Sequence, residues 1–395
     1  MNQENYKSNI YKYYVYSFIM GVHTVRGVYF AYMTEWGGLD FFEIMALQSY
    51  FMFVIFLFEI PSGAIADLIG RKMALIFSSV CVIGAAFAYS IYSNILLFVL
   101  AETLWALSIA LSSGTNEALL YSSLKSFNAE EKLPKVLGNI QTINLIALTI
   151  SAPLGSVIAQ YISLQFTMTC LALIYICSLF VAFTFKEAPY KKKELGLENK
   201  SYFTIIKQGF IELRKNKILM TLCFDRLFIN TLIFLLFWTY QPYLQALGVP
   251  LLWWGFITAG MNITNAGFSF IIPRILTRVK NKLYFLIIVD LINGITFFLM
   301  SFNINPYIGI FLILFIVAFG YSRSLIYING INRQIEADER ATVLSTLNMF
   351  GSFFMAIINL LIGVIGTVNI SYVFLFVGCA IIAFTIFTRM KNDYL

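Results

Sequence analysis

Apolar residues run in long blocks separated by short polar stretches, from one end of the 395-residue chain to the other. A helix that crosses a bilayer needs roughly 20 predominantly apolar residues. By that measure the blocks predict helices over 10–35, 43–66, 73–92, 95–121, 136–160, 164–185, 218–244, 250–274, 283–302, 306–332, 341–366 and 370–388. The pattern is that of an all-α integral membrane protein with twelve transmembrane helices. The longest polar stretch divides them six and six: an N-terminal bundle over 1–185, a cytoplasmic linker over 186–217 and a C-terminal bundle over 218–395. The first block, Ile10 to about Thr34, is too long for a cleavable signal and contains Arg26, so it is expected to stay as a helix. In the linker, which holds nine Lys or Arg, Tyr202, Phe203, Ile205, Ile206, Phe210 and Leu213 form a rough apolar stripe. Two readings of it stand: a segment lying along the membrane surface, or a solvated tether.

Composition excludes an ordinary soluble protein. Mean hydropathy is +0.80, and charged residues make up 12% of the chain against about a quarter in soluble domains. The net charge of +7 points to topology and lipid contact instead of a nucleic-acid partner. All Lys and Arg except Arg26, Arg226 and Arg323 fall in segments assigned to the cytoplasm, while the first external loop, Glu35 to Glu43, carries only acids. This positive-inside bias places both termini in the cytoplasm, as expected for a multi-pass protein of the cell membrane. The five cysteines lie inside apolar runs without metal-ligand spacing and read as packing residues. No metal or other cofactor is expected.

The polar stretch between the second and third spans reads Gly63-Ala-Ile-Ala-Asp67-Leu-Ile-Gly70-Arg71-Lys72. Gly63 and Gly70 allow a tight turn and close helix approach, Asp67 can face a helix N-terminus, and Arg71 and Lys72 mark a cytoplasmic side. A loop of this content at this place resembles the signature loop of the major facilitator superfamily. Ala152-Pro153-Leu154-Gly155-Ser156 in the fifth span resembles the Gly-Pro-x-x-Gly-Gly element of that superfamily's drug:proton antiporters, with Ala and Ser at the ends and a shifted spacing. The stretch from Ile272-Pro273-Arg274 to Lys282 keeps the positive charge of the first loop without its Asp. The start of the eleventh span, Arg340 to Ser345, also resembles family members.

The resemblance implies two pseudo-symmetric six-helix bundles, with substrate held between them near mid-membrane. It further implies a conformational latch: Asp67 against the start of the eleventh span near Ala341, and Arg71 against Glu117 or Glu130-Glu131. The alternative for these residues is a turn with solvated charges.

Charges inside spans cost roughly 2.5–3.5 kcal/mol each on insertion scales and need a partner or a polar cavity. Arg26, Glu59, Glu102, Glu117, Asp225, Arg226, Asp290 and Arg323 are of this kind. At about 1.5 Å rise per residue, Arg26 and Glu102 reach nearly the same level, so the two are predicted to face each other. The pair is suited to proton coupling or, alternatively, to holding the first and fourth spans together. His23, one turn before Arg26, is a candidate relay or a packing residue. Asp225, Arg226, Asp290 and Arg323 share one depth, roughly 10–14 Å from the cytoplasmic end. The resemblance puts the seventh and tenth spans along the cavity, so Asp225 and Arg323 are expected to pair there, whereas Asp290 on the ninth is expected to be peripheral. Glu59 reads as a second protonation site or a gate contact.

Trp36, Trp253 and Trp254 read as interface anchors. Trp105, Trp238, Tyr240 and Gln241 are candidate cavity-lining residues, and Asn262 and Asn265 could join them or act as polar glue between helices.

Together these readings predict a secondary transporter working by alternating access, not an enzyme, with a small-molecule substrate and the proton as coupling ion, acting as a monomer. By resemblance, export of amphipathic compounds leads; uptake of a nutrient or organic anion is the alternative. A transport-dead receptor or scaffold is the reading from another class.

Overall fold

The computed structural model describes residues 4–187, 211, 213–214, 216–302, 305–320, 323–335, 340–388 and 390–394. Within them each expected span is mainly helical. The long helices are α1 (Glu4–Gly21), α2 (Phe41–Ile69), α3 (Arg71–Ile91), α4 (Ile95–Ser112), α5 (Thr115–Lys125), α6 (Leu133–Tyr161) and α7 (Leu164–Thr184), followed by α8 (Lys217–Phe234), α9 (Leu236–Ala246), α10 (Leu251–Leu276), α11 (Lys282–Met300), α12 (Pro306–Gly320), α13 (Ser324–Gln334), α14 (Arg340–Val368) and α15 (Ile370–Ile386). Among the described residues, eight helices are long and apolar enough to cross a membrane, and no strand occurs. Many starts are set by short polar side chains that accept a bond from an otherwise orphaned backbone N–H. Asn94, Ser163, Asn216, Asn281 and Asn369 do this for α4, α7, α8, α11 and α15.

Among the described residues the chain forms two compact units, one within Met1–Gly38 and Tyr50–Tyr202, the other within Leu39–Ser49 and Phe203–Leu395. In this division the first turns of α2 fall with the second unit. There Ser49 donates to the Ala356 carbonyl at 2.6 Å, and Gly363 and Gly366 leave room for Met45 and Phe41. The first unit packs around Tyr13, Tyr16, Leu75, Leu119 and Phe185. The second packs around Leu219, Leu222, Leu286, Tyr327 and Ile331. Leu213, placed by sequence in a surface stripe, is buried in that second core; the rest of the stripe, Tyr202 to Phe210, lies outside the described residues.

Three other expectations are corrected. The first span is not one helix: α1 stops at Gly21, residues 22–25 are non-helical, and helical turns resume from Arg26 to Trp36. Most of the Gly63–Lys72 stretch is not a loop. α2 continues through Gly63 to Ile69, because nothing there interrupts its hydrogen-bond ladder, and Gly70 alone makes the turn at φ +95°, a value that L side chains rarely adopt. Trp253 is 55% exposed, as an interface anchor would be, but Trp254 is buried and donates to the Val249 carbonyl at 2.9 Å. Adjacent helix positions point about 100° apart, so the two cannot share one surroundings.

Candidate functional site

Among the described residues, interruptions fall in the first unit at residues 22–25 and at the Ser113-Gly114 step between α4 and α5, and in the second at Leu235 between α8 and α9. Discontinuous membrane helices free backbone groups and are where transporters of this architecture build solute and ion sites.

The first interruption is held by its neighbours. Gly155 of α6 meets Thr24 so closely that a Cβ at this position would lie 1.6 Å from the Thr24 carbonyl oxygen. The freed backbone N–H of His23 donates to Ser151 Oγ at 2.9 Å, and the Thr24 side chain ties the break to α7, its Oγ1 donating to the Thr167 carbonyl at 2.7 Å. Gly155 belongs by resemblance to an antiporter-like element; in the structure it is the crossing point of the broken span. His23 stacks on Trp105, with ring centroids 5.3 Å apart, and its buried Nδ1 has no hydrogen-bond partner among the described residues.

Three residues past Arg26, Tyr29 donates to Glu102 at 3.4 Å. Glu102 is buried, 4% exposed, and also accepts from Tyr89. Neither tyrosine was anticipated. Tyr89 in turn presents its carbonyl to Tyr32, at 2.5 Å, which joins α3, α4 and the outer part of the first span. Tyr50 and Thr103 share a hydrogen bond of 2.8 Å close by in sequence to Glu102. Glu59 is half-buried on α2, where its carbonyl accepts from Ser62.

The second unit holds the most tightly built charge site. Arg323 is fully buried. It donates to Asp290 through Nη2 at 3.0 Å, with Nε 2.9 Å from the other Asp290 oxygen as an ion-pair contact that lacks hydrogen-bond geometry, and it reaches Asp225 through Nη2 at 3.1 Å. Asn230 accepts from Nη1 at 3.2 Å, Tyr327 donates to Asp225, and Thr388 donates to the other Asp225 oxygen at 3.0 Å. Asp225 and Arg323 therefore meet. The peripheral placement of Asp290 is corrected, since its carboxylate is buried in the same cluster. Arg226, adjacent to Asp225, is half-buried. Two acids share one guanidinium, and a buried charge left uncompensated is costly; with both acids ionised the cluster carries one surplus negative charge.

Tyr240 and Gln241, expected to line a cavity, are buried inside the second unit: Gln241 donates to the Tyr240 hydroxyl at 2.7 Å, and that hydroxyl pairs with Thr258 at 2.8 Å. Trp238 packs edge-on against Phe237. Asn265 accepts from Ser269 through its carbonyl, while the buried amide nitrogen of Asn262 has no hydrogen-bond partner among the described residues. Asn359 on α14, which the sequence did not single out, is wholly buried with both amide ends in that condition.

At the latch, the side chain of Asp67 lies outside the described residues, as do those of Arg340 to Thr342. The Arg71 guanidinium donates to the Ala118 carbonyl at 2.6 Å, one residue beyond the exposed Glu117. An acid that the sequence reading passed over, Glu187, places its carboxylate on the Arg71 and Lys72 N–H groups at 3.0 and 2.8 Å. It caps α3 from the far end of the first bundle. Replacing it, Glu187→Ala, is expected to cost about 1 kcal/mol, read as a lower melting midpoint with the fold retained.

The architecture, twelve helical spans around buried intramembrane charges, is that of a membrane transport protein. The family model for the Major Facilitator Superfamily matches residues 14–357, and the chain belongs to that superfamily. Among solved structures it is similar to the nucleoside transporter NupG (TM-score 0.76, 15% identity, covering 99% of this chain and 100% of that one). It is also similar to a D-xylose–proton symporter (TM-score 0.73, 12% identity, covering 98% and 99%), and to a POT family transporter in complex with a thioalcohol-conjugated peptide (TM-score 0.71, 13% identity, covering 97% and 94%). A comparison with curated proteins finds no match.

Proposed function

We propose that this chain is a proton-coupled uptake carrier for a small polar nutrient, working by alternating access as a monomer in the cell membrane with both termini in the cytoplasm. The observation that carries the reading is Arg323 shared by Asp225 and Asp290. A membrane-buried cluster with one acid more than it has cations can take up a proton and give it back as its surroundings change, which is what coupling requires. Glu102, held by Tyr29 and Tyr89, is the corresponding charge site in the first unit. The latch of Asp67, Gly70, Arg71 and Lys72 fits a protein that alternates between states.

Import is favoured over export by the company the fold keeps: the similar structures are a nucleoside transporter and a D-xylose–proton symporter. The antiporter-like element that suggested drug export has a packing role at Gly155.

The test is accumulation of labelled nucleosides, D-xylose, a dipeptide and a lipophilic cation in proteoliposomes under an inward proton gradient. One polar class is expected to accumulate, and accumulation is expected to fall at least tenfold in Asp225→Asn and in Glu102→Gln, a loss of about 1.4 kcal/mol or more. Accumulation that survives collapse of the gradient would sink proton coupling. Movement of the lipophilic cation alone, outward, would restore the export reading.

A further inference from the structure

The C-terminal tail beyond α15 is tied to the Arg323 cluster at one end and to the start of α11 at the other. Thr388 donates to Asp225 Oδ2 at 3.0 Å. The Met390 side chain is buried at 6% exposure among Leu219, Leu222 and Tyr327 of the second core. Asn392 Oδ1 then accepts from the N–H groups of Lys282 and Leu283 at 2.9 and 3.3 Å, so a residue 110 positions away supplies part of the N-terminal cap of α11. Tyr394 lies over α13, its carbonyl oxygen 2.8 Å from where a Cβ at Gly330 would stand. A tail that merely ended the chain would not bury an apolar side chain and place three polar groups on three different helices.

We propose that residues 388 and 390–394 form a strap across the second bundle and that Thr388 is a positioning residue for Asp225. Asp290 has Nη2 on one oxygen and Nε at ion-pair distance from the other; Asp225 has Nη2 alone, at 3.1 Å, and depends on Tyr327 and Thr388 for the rest of its orientation. The groups facing Asp225 are thus Asp290 from α11, Arg323 from the start of α13, Tyr327 from α13, and Thr388 from the tail, with Arg226 its neighbour on α8. Thr388 holds the oxygen that Arg323 does not touch. Releasing the strap would let the Asp225 carboxylate rotate away from the guanidinium. The coupling consequence rests on the reading of this cluster as the proton site; the positioning itself does not.

The experiment is a double-mutant cycle on the purified full-length protein, read as melting midpoints, with Thr388→Val, Asp225→Asn and both together. Alongside it, gradient-driven uptake and gradient-free exchange are measured for Thr388→Val, Thr388→Ser and a chain ended after Phe387. Thr388→Val is expected to lower the midpoint in the native background and to have a smaller effect once Asp225 is Asn, the remainder being the bond that Thr388 Oγ1 accepts from the Met390 N–H at 3.3 Å. It is also expected to reduce gradient-driven uptake about tenfold, the loss of one hydrogen bond to a charged group, while exchange stays within twofold. Thr388→Ser is expected to behave as the native protein, and the shortened chain as Thr388→Val. Additive midpoint shifts, or a Thr388→Ser variant no better than Thr388→Val, would overturn the proposal. If the native protein shows no gradient-driven uptake but the midpoints remain non-additive, the positioning stands and the proton reading falls.

Discussion

Gly155→Ala should yield little folded protein, and none that transports. The added methyl would sit 1.6 Å from the Thr24 carbonyl oxygen and 2.7 Å from its carbonyl carbon, and both are backbone atoms that cannot swing aside as a side-chain end would. Relief requires the broken span to move off α6. That movement would pull the His23 N–H from Ser151 and Thr24 from Thr167, leaving polar groups unpaired in an apolar bundle. Overpacking alone costs about 1–3 kcal/mol, and each buried group left without a partner adds about 1–3 kcal/mol. The control lies on the same helix. Gly138 has nothing within 4 Å of its would-be Cβ, so Gly138→Ala should be neutral or stabilise by up to about 1 kcal/mol. Yield of monodisperse protein and its melting midpoint distinguish the two. Equal behaviour would mean that the crossing of the broken span and α6 is not as close as described.

Arg323→Met is expected to be the most damaging single change in the second bundle. It would leave Asp225 and Asp290 buried together without their cation, and breaking a buried ion pair by removing one partner costs about 3–5 kcal/mol. The sign reverses when the acids go too. Arg323→Met combined with Asp225→Asn and Asp290→Asn should recover much of the loss, since a neutral site has no uncompensated charge to bury. Arg323→Lys should rescue only in part, because a single ammonium cannot reproduce the two-nitrogen contact with Asp290. Melting midpoints across this series test the charge balance directly. A triple variant as unstable as Arg323→Met would assign the loss to packing instead.

Much of this was legible in the sequence. Apolar blocks of spanning length located the helices, because length and hydropathy alone satisfy the bilayer. The rise per residue put Asp225, Asp290 and Arg323 at one depth, and all three are joined in the structure. Asp290 was set aside only because resemblance made its helix peripheral; the depth arithmetic was the better guide. The break at residues 22–25 left no mark in the pattern, since it interrupts the helix without interrupting the apolar block. Its cause lies in Gly155, Ser151 and Thr167, well over a hundred residues away. Glu187 and Asn392 were likewise invisible, because a carboxylate or amide capping a helix from a distant segment carries no local signal. Trp254 differed from Trp253 through helical direction, which hydropathy windows average out.

The most direct test of the central claim is a count of protons. Proteoliposomes loaded with a pH-sensitive dye, with no imposed gradient, would receive each candidate solute outside while interior pH is followed. The account predicts that the interior acidifies as the transported solute enters, and that Asp225→Asn still exchanges that solute without moving protons. Solute entry in the native protein with no change in interior pH, or with alkalinisation, would contradict it.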